Sequence, residues 1–170
     1  MFYRIGSING YIIFDINDYG VYEFSANLIQ NPNNQIENLL QNKISIFIKN
    51  NKVDMIMSAH VYNKNLDAIN PATLSYNINT KLLRNKLGFQ GVLVSDDLQM
   101  YAISKHYNLK QTLTLAINSG VNMLLFANQL AKPITLKQIV DVVYAQVLSE
   151  QISLETIIKA NKRIDSLLAK

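Results

Sequence analysis

The chain has 170 residues, of which 49% are hydrophobic and 16% charged, and its formal charge is +4. That length suffices for one domain with a sizeable core, and the lysines are scattered, so no nucleic-acid partner is expected. The lack of cysteine excludes disulfide and thiol chemistry, and two histidines, His60 and His106, are too few for a metal cluster.

Residues 1–34 contain two apolar patches, YIIFDI and VYEFSA, that are candidates for a strand or two. Asp15 and Asp18 interrupt the first, so no signal peptide is expected here. No stretch approaches the length of a membrane span, and the expectation is a soluble, cytoplasmic protein. Over residues 35–50, Ile36, Leu39, Leu40, Ile44, Phe47 and Ile48 recur with helical spacing. VDMIMSAH then predicts a strand near 54–59 that ends in Ser58 and His60. LSYNINTKLLRNKLG places Ile78, Leu82, Leu83 and Leu87 on one helical face and stops at Gly88, a residue suited to leaving a helix. GVLVSDD predicts a strand near 91–95, LKQTLTLAINSG a helix closed by Gly120, and VNMLLFAN a strand near 122–126. Two helical patterns follow, one after Pro133 and one opened by Ser153 as N-cap.

Continuous apolar runs alternating with amphipathic helices give an α/β fold of parallel βα units. In such folds the chemistry collects at the carboxyl ends of the strands. All three runs turn polar there: Ser58 and His60, then Ser95, Asp96 and Asp97, then Asn128. Adjacent acids after buried aliphatics are costly unless paired, solvated or used. Side chains alternate along a strand, so Asp96 and Asp97 cannot both face one reacting centre. One acid is the candidate for chemistry and the other a structural partner or cap.

The motifs VDMIMSAHVYNKNLDAINPATLS (53–75), LLRNKLGFQGVLVSDDLQMYAISKHY (82–107) and AINSGVNMLLFANQ (116–129) together resemble the C-terminal half of glycoside hydrolase family 3 catalytic barrels. The likeness is to bacterial β-N-acetylhexosaminidases of peptidoglycan recycling. It implies that residues 35–170 form part of a (β/α)8 TIM-type barrel, roughly its last three strands and C-terminal helices, with residues 1–34 unassigned. It further implies a retaining exo-β-N-acetylhexosaminidase acting on an amino-sugar or muropeptide substrate, with neither cofactor nor metal. The first acid of the SDD motif is the family's nucleophile, which transfers onto Asp96; Asp97 becomes its structural partner. His60 and Met57, at the neighbouring strand end, are carried over as substrate-binding residues, and His106 as structural. The KHFPGHG-type loop that bears the family's acid/base has no counterpart here, and a whole barrel needs roughly 250 residues. The expectation is therefore a chain inactive alone, completed by an N-terminal barrel half or by self-association. The alternative is a non-catalytic remnant or split-gene half that acts by binding or pairing.

Overall fold

The computed structural model describes residues 53–129 and 132–169, together with the backbone of Tyr11–Phe14 and Val21–Tyr22. The helix expected over 35–50 lies outside the described residues. Five strands form one sheet: β1 (Tyr11–Phe14), β2 (Val21–Tyr22), β3 (Met55–Ser58), β4 (Val92–Asp97) and β5 (Met123–Leu125), in the order β2-β1-β3-β4-β5. β3 and β4 are parallel, as are β4 and β5. Each pair is separated by a helical crossover, which parallel pairing requires. β1, however, runs antiparallel to both β2 and β3, so the sheet is mixed and not wholly parallel. The short link of residues 15–20 between β1 and β2 leaves no room for a crossover.

Among the described residues the longer helical segments are α1 (Asn77–Lys86), α2 (Tyr101–Ser104), α3 (Leu109–Ser119), α4 (Leu136–Leu148) and α5 (Leu154–Leu168). The start signals are local. Asn108 and Thr135 accept from the amides of Gln111 and Gln138, whose side chains return the bond, making two capping boxes. Ser153 accepts from the Glu155 amide. Gly120 ends α3 in the left-handed region at φ 106°, where its missing Cβ removes the steric cost. α1 is wound in the wider π form, a departure from the ordinary helix that its apolar spacing predicts.

The core lies between sheet and helices. Ile56 and Leu93 from the strands meet Ile78 and Leu83 of α1, Ile103 of α2, Ala116 of α3, and Leu74 and Phe89 from the connections. Each large aliphatic among them stabilises the fold by roughly 1.5–3 kcal/mol relative to exposure. On β3, Ile56 and Ser58 are buried while Met55 and Met57 are only half-buried, the alternation expected of a strand with one face on the core. α4 turns Leu136, Val140, Tyr144 and Leu148 outward, a stripe at four-residue spacing that stays largely exposed. Among the described residues no helix is long and apolar enough to cross a membrane.

A buried arginine on α1 joins the strand entries. Arg84 donates through Nη1 to the carbonyls of Phe89 and Gly91, and through Nη2 to Gly120 O at 2.9 Å and Asn122 Oδ1 at 2.7 Å. Asn122 Oδ1 also accepts from Leu93 N at 2.9 Å. Replacing Arg84 by methionine leaves these acceptors buried, and urea denaturation should show a loss of roughly 3 kcal/mol. Arg84→Lys should recover little of it, because an ammonium cannot span the acceptors that a planar fork reaches.

Candidate active site

The carboxyl ends of β3 and β4 bring His60, Asp96 and Asp97 together. β4 extends through both acids, two residues further than its apolar run indicates. Val94 pairs with Met123 and Asp97 with Leu125, so β4 accommodates one extra residue opposite β5. Ser95 fills the gap: its Oγ accepts from Leu125 N at 2.9 Å, while Leu98 N donates to Leu125 O at 3.0 Å. Strict alternation thus fails at this point, and the two acids are separated by their hydrogen bonds instead.

Asp97 is 6% exposed. Its Oδ1 accepts from Gln99 N and from Ala127 N, each at 3.1 Å, tying the turn after β4 to the loop after β5. Its carbonyl accepts from Met100 N and from His60 Nε2, the latter at 2.8 Å. Asp96 is half-buried. Its Oδ1 accepts from the Asp97 amide at 2.8 Å, and among the described residues Oδ2 accepts no hydrogen bond. Asp97 Oδ2 likewise accepts no hydrogen bond among the described residues, so what sets Asp96 apart is its exposure: it is half-buried where Asp97 is buried.

His60 uses both ring nitrogens on the protein, Nδ1 facing Thr73 Oγ1 at 2.9 Å and Nε2 the Asp97 carbonyl. Burial pushes its imidazole below the ordinary value, against the pull of the Asp97 carbonyl and of the Asp96 and Asp97 charges. A direct hydrogen bond from His60 to a sugar would displace one of these partners. Met57 lies beside Val94 across the β3–β4 ladder, half-buried, and can offer only an apolar surface. His106 is exposed beyond α2, outside the cluster. Asn128, at φ 55°, brackets a loop: its side chain accepts from Ile134 N and donates to Ile134 O.

Two buried polar residues escaped sequence reasoning. Gln99 accepts from Asn128 N at 2.7 Å and donates to Lys132 O, so it completes the bracket around the loop after β5. Thr73, wholly buried in the turn Ala72–Leu74, holds His60. The signal for Thr73 was its place in PATLS, where a threonine among apolar neighbours needs a partner. A cavity of about 600 Å³ sits away from the cluster, between the entries of β3 and β4 and the last turns of α5. A smaller one of about 270 Å³, lined by Leu98, Gln99, Phe126 and Pro133, lies nearer the acids.

Residues 23–167 match the glycosyl hydrolase family 3 N terminal domain. The chain belongs to glycosyl hydrolase family 3. Among family 3 relatives, the beta-hexosaminidase A of Pseudoalteromonas piscicida is 40% identical over 89 residues, 46% of this chain and 15% of that protein. The beta-hexosaminidase of Haemophilus influenzae is 39% identical over 82 residues, 48% of this chain and 23% of its own length. The solved beta-N-acetylglucosaminidase from Thermotoga maritima superposes with a TM-score of 0.62 at 28% identity, over 68% of this chain and 25% of that one. A family 3 beta-N-acetylglucosaminidase from Paenibacillus sp. str. FPU-7 gives 0.61 at 35% identity, over 69% and 22%. The chain thus spans a quarter or less of the length of these family 3 relatives.

Two outcomes follow from this geometry. Asp97→Ala strands two amides and should cost about 1–3 kcal/mol. Asp96→Asn keeps an oxygen for the Asp97 amide and should stay within about 0.5 kcal/mol of wild type; urea midpoints at constant slope distinguish the two. The His60 imidazole is held below its usual value of about 6.5, so the unfolded chain takes up that proton first as pH falls. Stability from this group is full above about pH 6.5 and declines below it until the folded imidazole also protonates. The difference in unfolding free energy between wild type and His60→Gln should shrink accordingly from pH 7 to pH 5.

Proposed function

We propose that this chain carries the nucleophile half of a retaining exo-β-N-acetylhexosaminidase, with Asp96 as nucleophile. The observation that carries the reading is the state of Asp96. It stands at the carboxyl end of β4 with one oxygen fixed by an amide and the other open among the described residues. The relatives' names, beta-hexosaminidase and beta-N-acetylglucosaminidase, favour a β-linked N-acetylamino sugar, free or in a muropeptide. The parallel units β3–α1–β4–α3–β5 are read as the last part of a (β/α)8 barrel, with Met57 as apolar floor beside the sugar.

In the first step an Asp96 oxygen attacks the anomeric carbon as the glycosidic C–O bond breaks, and the departing oxygen takes a proton from a general acid. Water then attacks the glycosyl ester, gives its second proton to the conjugate base, and releases the sugar with the carboxylate restored. Neither neighbour of Asp96 is free to be that acid: both His60 nitrogens face protein partners, and Asp97 is buried with one oxygen held by two backbone amides. In this reading the acid lies outside the described residues, and a complementary N-terminal barrel half is the proposed partner.

The purified chain should therefore hydrolyse an aryl β-N-acetylglucosaminide slower than a complete relative by at least the roughly 10²–10⁴-fold that general-acid help supplies. Adding a polypeptide with the remaining barrel strands should restore turnover in wild type and not in Asp96→Asn. A substrate analogue that traps the glycosyl ester should label the peptide spanning residues 91–100, as read by mass spectrometry. Label elsewhere, or full turnover in Asp96→Asn, removes Asp96 from the mechanism. Sugar binding without turnover in the complemented protein leaves the alternative, a non-catalytic binding module.

A further inference from the structure

Behind the two acids runs a file of polar groups that the nucleophile assignment does not use. Ser58 closes β3, and its Oγ lies 3.0 Å from Thr73 Oγ1 and 3.4 Å from Val94 O. Thr73 Oγ1 lies 2.9 Å from His60 Nδ1, and His60 Nε2 lies 2.8 Å from the Asp97 carbonyl. Both hydroxyl residues are wholly buried, so no bulk water competes for these bonds. The direction of every hydrogen then follows from one end. A carbonyl oxygen can only accept, so Nε2 carries the proton. In a neutral ring Nδ1 is then an acceptor, so the Thr73 hydroxyl donates to it. With its hydrogen spent, the Thr73 oxygen accepts from Ser58.

We propose that Thr73, backed by Ser58, is a positioning residue: it holds the ring of His60, whose Nε2–H tautomer the Asp97 carbonyl selects, and His60 in turn clamps the Asp97 main chain against the Asp96 carboxylate. The inference rests on the reading of Asp96 as nucleophile. Asp97 is the piece being clamped. Its N–H donates to Asp96 Oδ1, its C=O accepts from His60 and Met100, and its carboxyl accepts from Gln99 and Ala127. A shift of this one residue would move the amide that aims Asp96. A second partner of this kind fixes ring orientation in the way outer partners of metal-bound histidines do. If His60 gains a second proton, Nδ1 becomes a donor and the Thr73 hydroxyl must turn. Its oxygen can still accept from Ser58, but the Thr73 hydrogen loses the acceptor it had in Nδ1. Asp96 and Asp97 are the charged groups that act on the ring.

The test uses the full chain, labelled with nitrogen-15, in long-range proton–nitrogen correlation spectra at neutral pH. His60→Gln identifies which of the two imidazole signals is His60. The expected signature is the Nε2–H tautomer in wild type, with the Nδ1 resonance unchanged in Thr73→Ser and shifted in Thr73→Val, which loses the hydroxyl that donates to it. The Asp97 amide proton should move upfield in Thr73→Val and stay in place in Thr73→Ser, while the α3 and α5 amides stay fixed as fold controls. An Nδ1–H tautomer in wild type overturns the proposal even if Thr73→Val fails to fold, and so does an Asp97 amide unmoved in a folded Thr73→Val. These readouts need no catalysis, so their failure is separate from a covalent label landing away from Asp96.

Discussion

A single guanidinium sets the spacing of the central strands. Arg84 is anchored on α1 and reaches the chain just before β4, the end of α3 and the chain just before β5. Because the fork is planar and its donors diverge at fixed angles, the carbonyls it meets are held at fixed separations. Asn122 extends the same contact into β4 through Leu93 N. The entries of the two parallel strands are thereby fixed before the ladder between them begins.

The opposite end of the same strand pair is fixed by a carboxyl group. Asp97 takes amides from both strand exits, so β4 and β5 are tied at their entries by a cation and at their exits by an acid. Between these ties the extra residue on β4 is absorbed by Ser95, whose hydroxyl stands in for a ladder acceptor. The consequence for chemistry is a division of labour. The buried acid spends one oxygen on two amides across the strand exits, and the half-buried acid spends one oxygen on a single amide. Adjacent carboxylates at a buried strand end are tolerable because backbone amides offset the charge of one and solvent reaches the other.

The three parallel strands were legible because Met55–Ser58, Val92–Val94 and Met123–Leu125 are apolar runs bounded by polar residues or glycine, and burial dictates that pattern. Their polar ends were legible for the same reason, which is how Asp96 and His60 stand out. The true length of β4 was not, since a serine and two acids look like the end of a strand unless one sees that Ser95 bonds across to β5. The caps at Asn108 and Thr135 were written in the sequence with glutamine three residues on, a weaker cue than Ser153. The antiparallel pairing of β1 depends on contacts with β3 far along the chain, which no local pattern encodes. Thr73 was hidden because its role exists only where the turn before α1 meets the loop after β3.

The outward stripe on α4 has a bearing on how the protein behaves in solution. Leu136 and Leu148 are each exposed by more than half their surface, as are Val140 and Tyr144 between them. Apolar surface of this kind grows more cohesive on warming from the cold and in salts such as sulfate that are excluded from protein surfaces. Contacts between copies made through this stripe should therefore weaken in chilled, low-sulfate buffers and strengthen in ammonium sulfate.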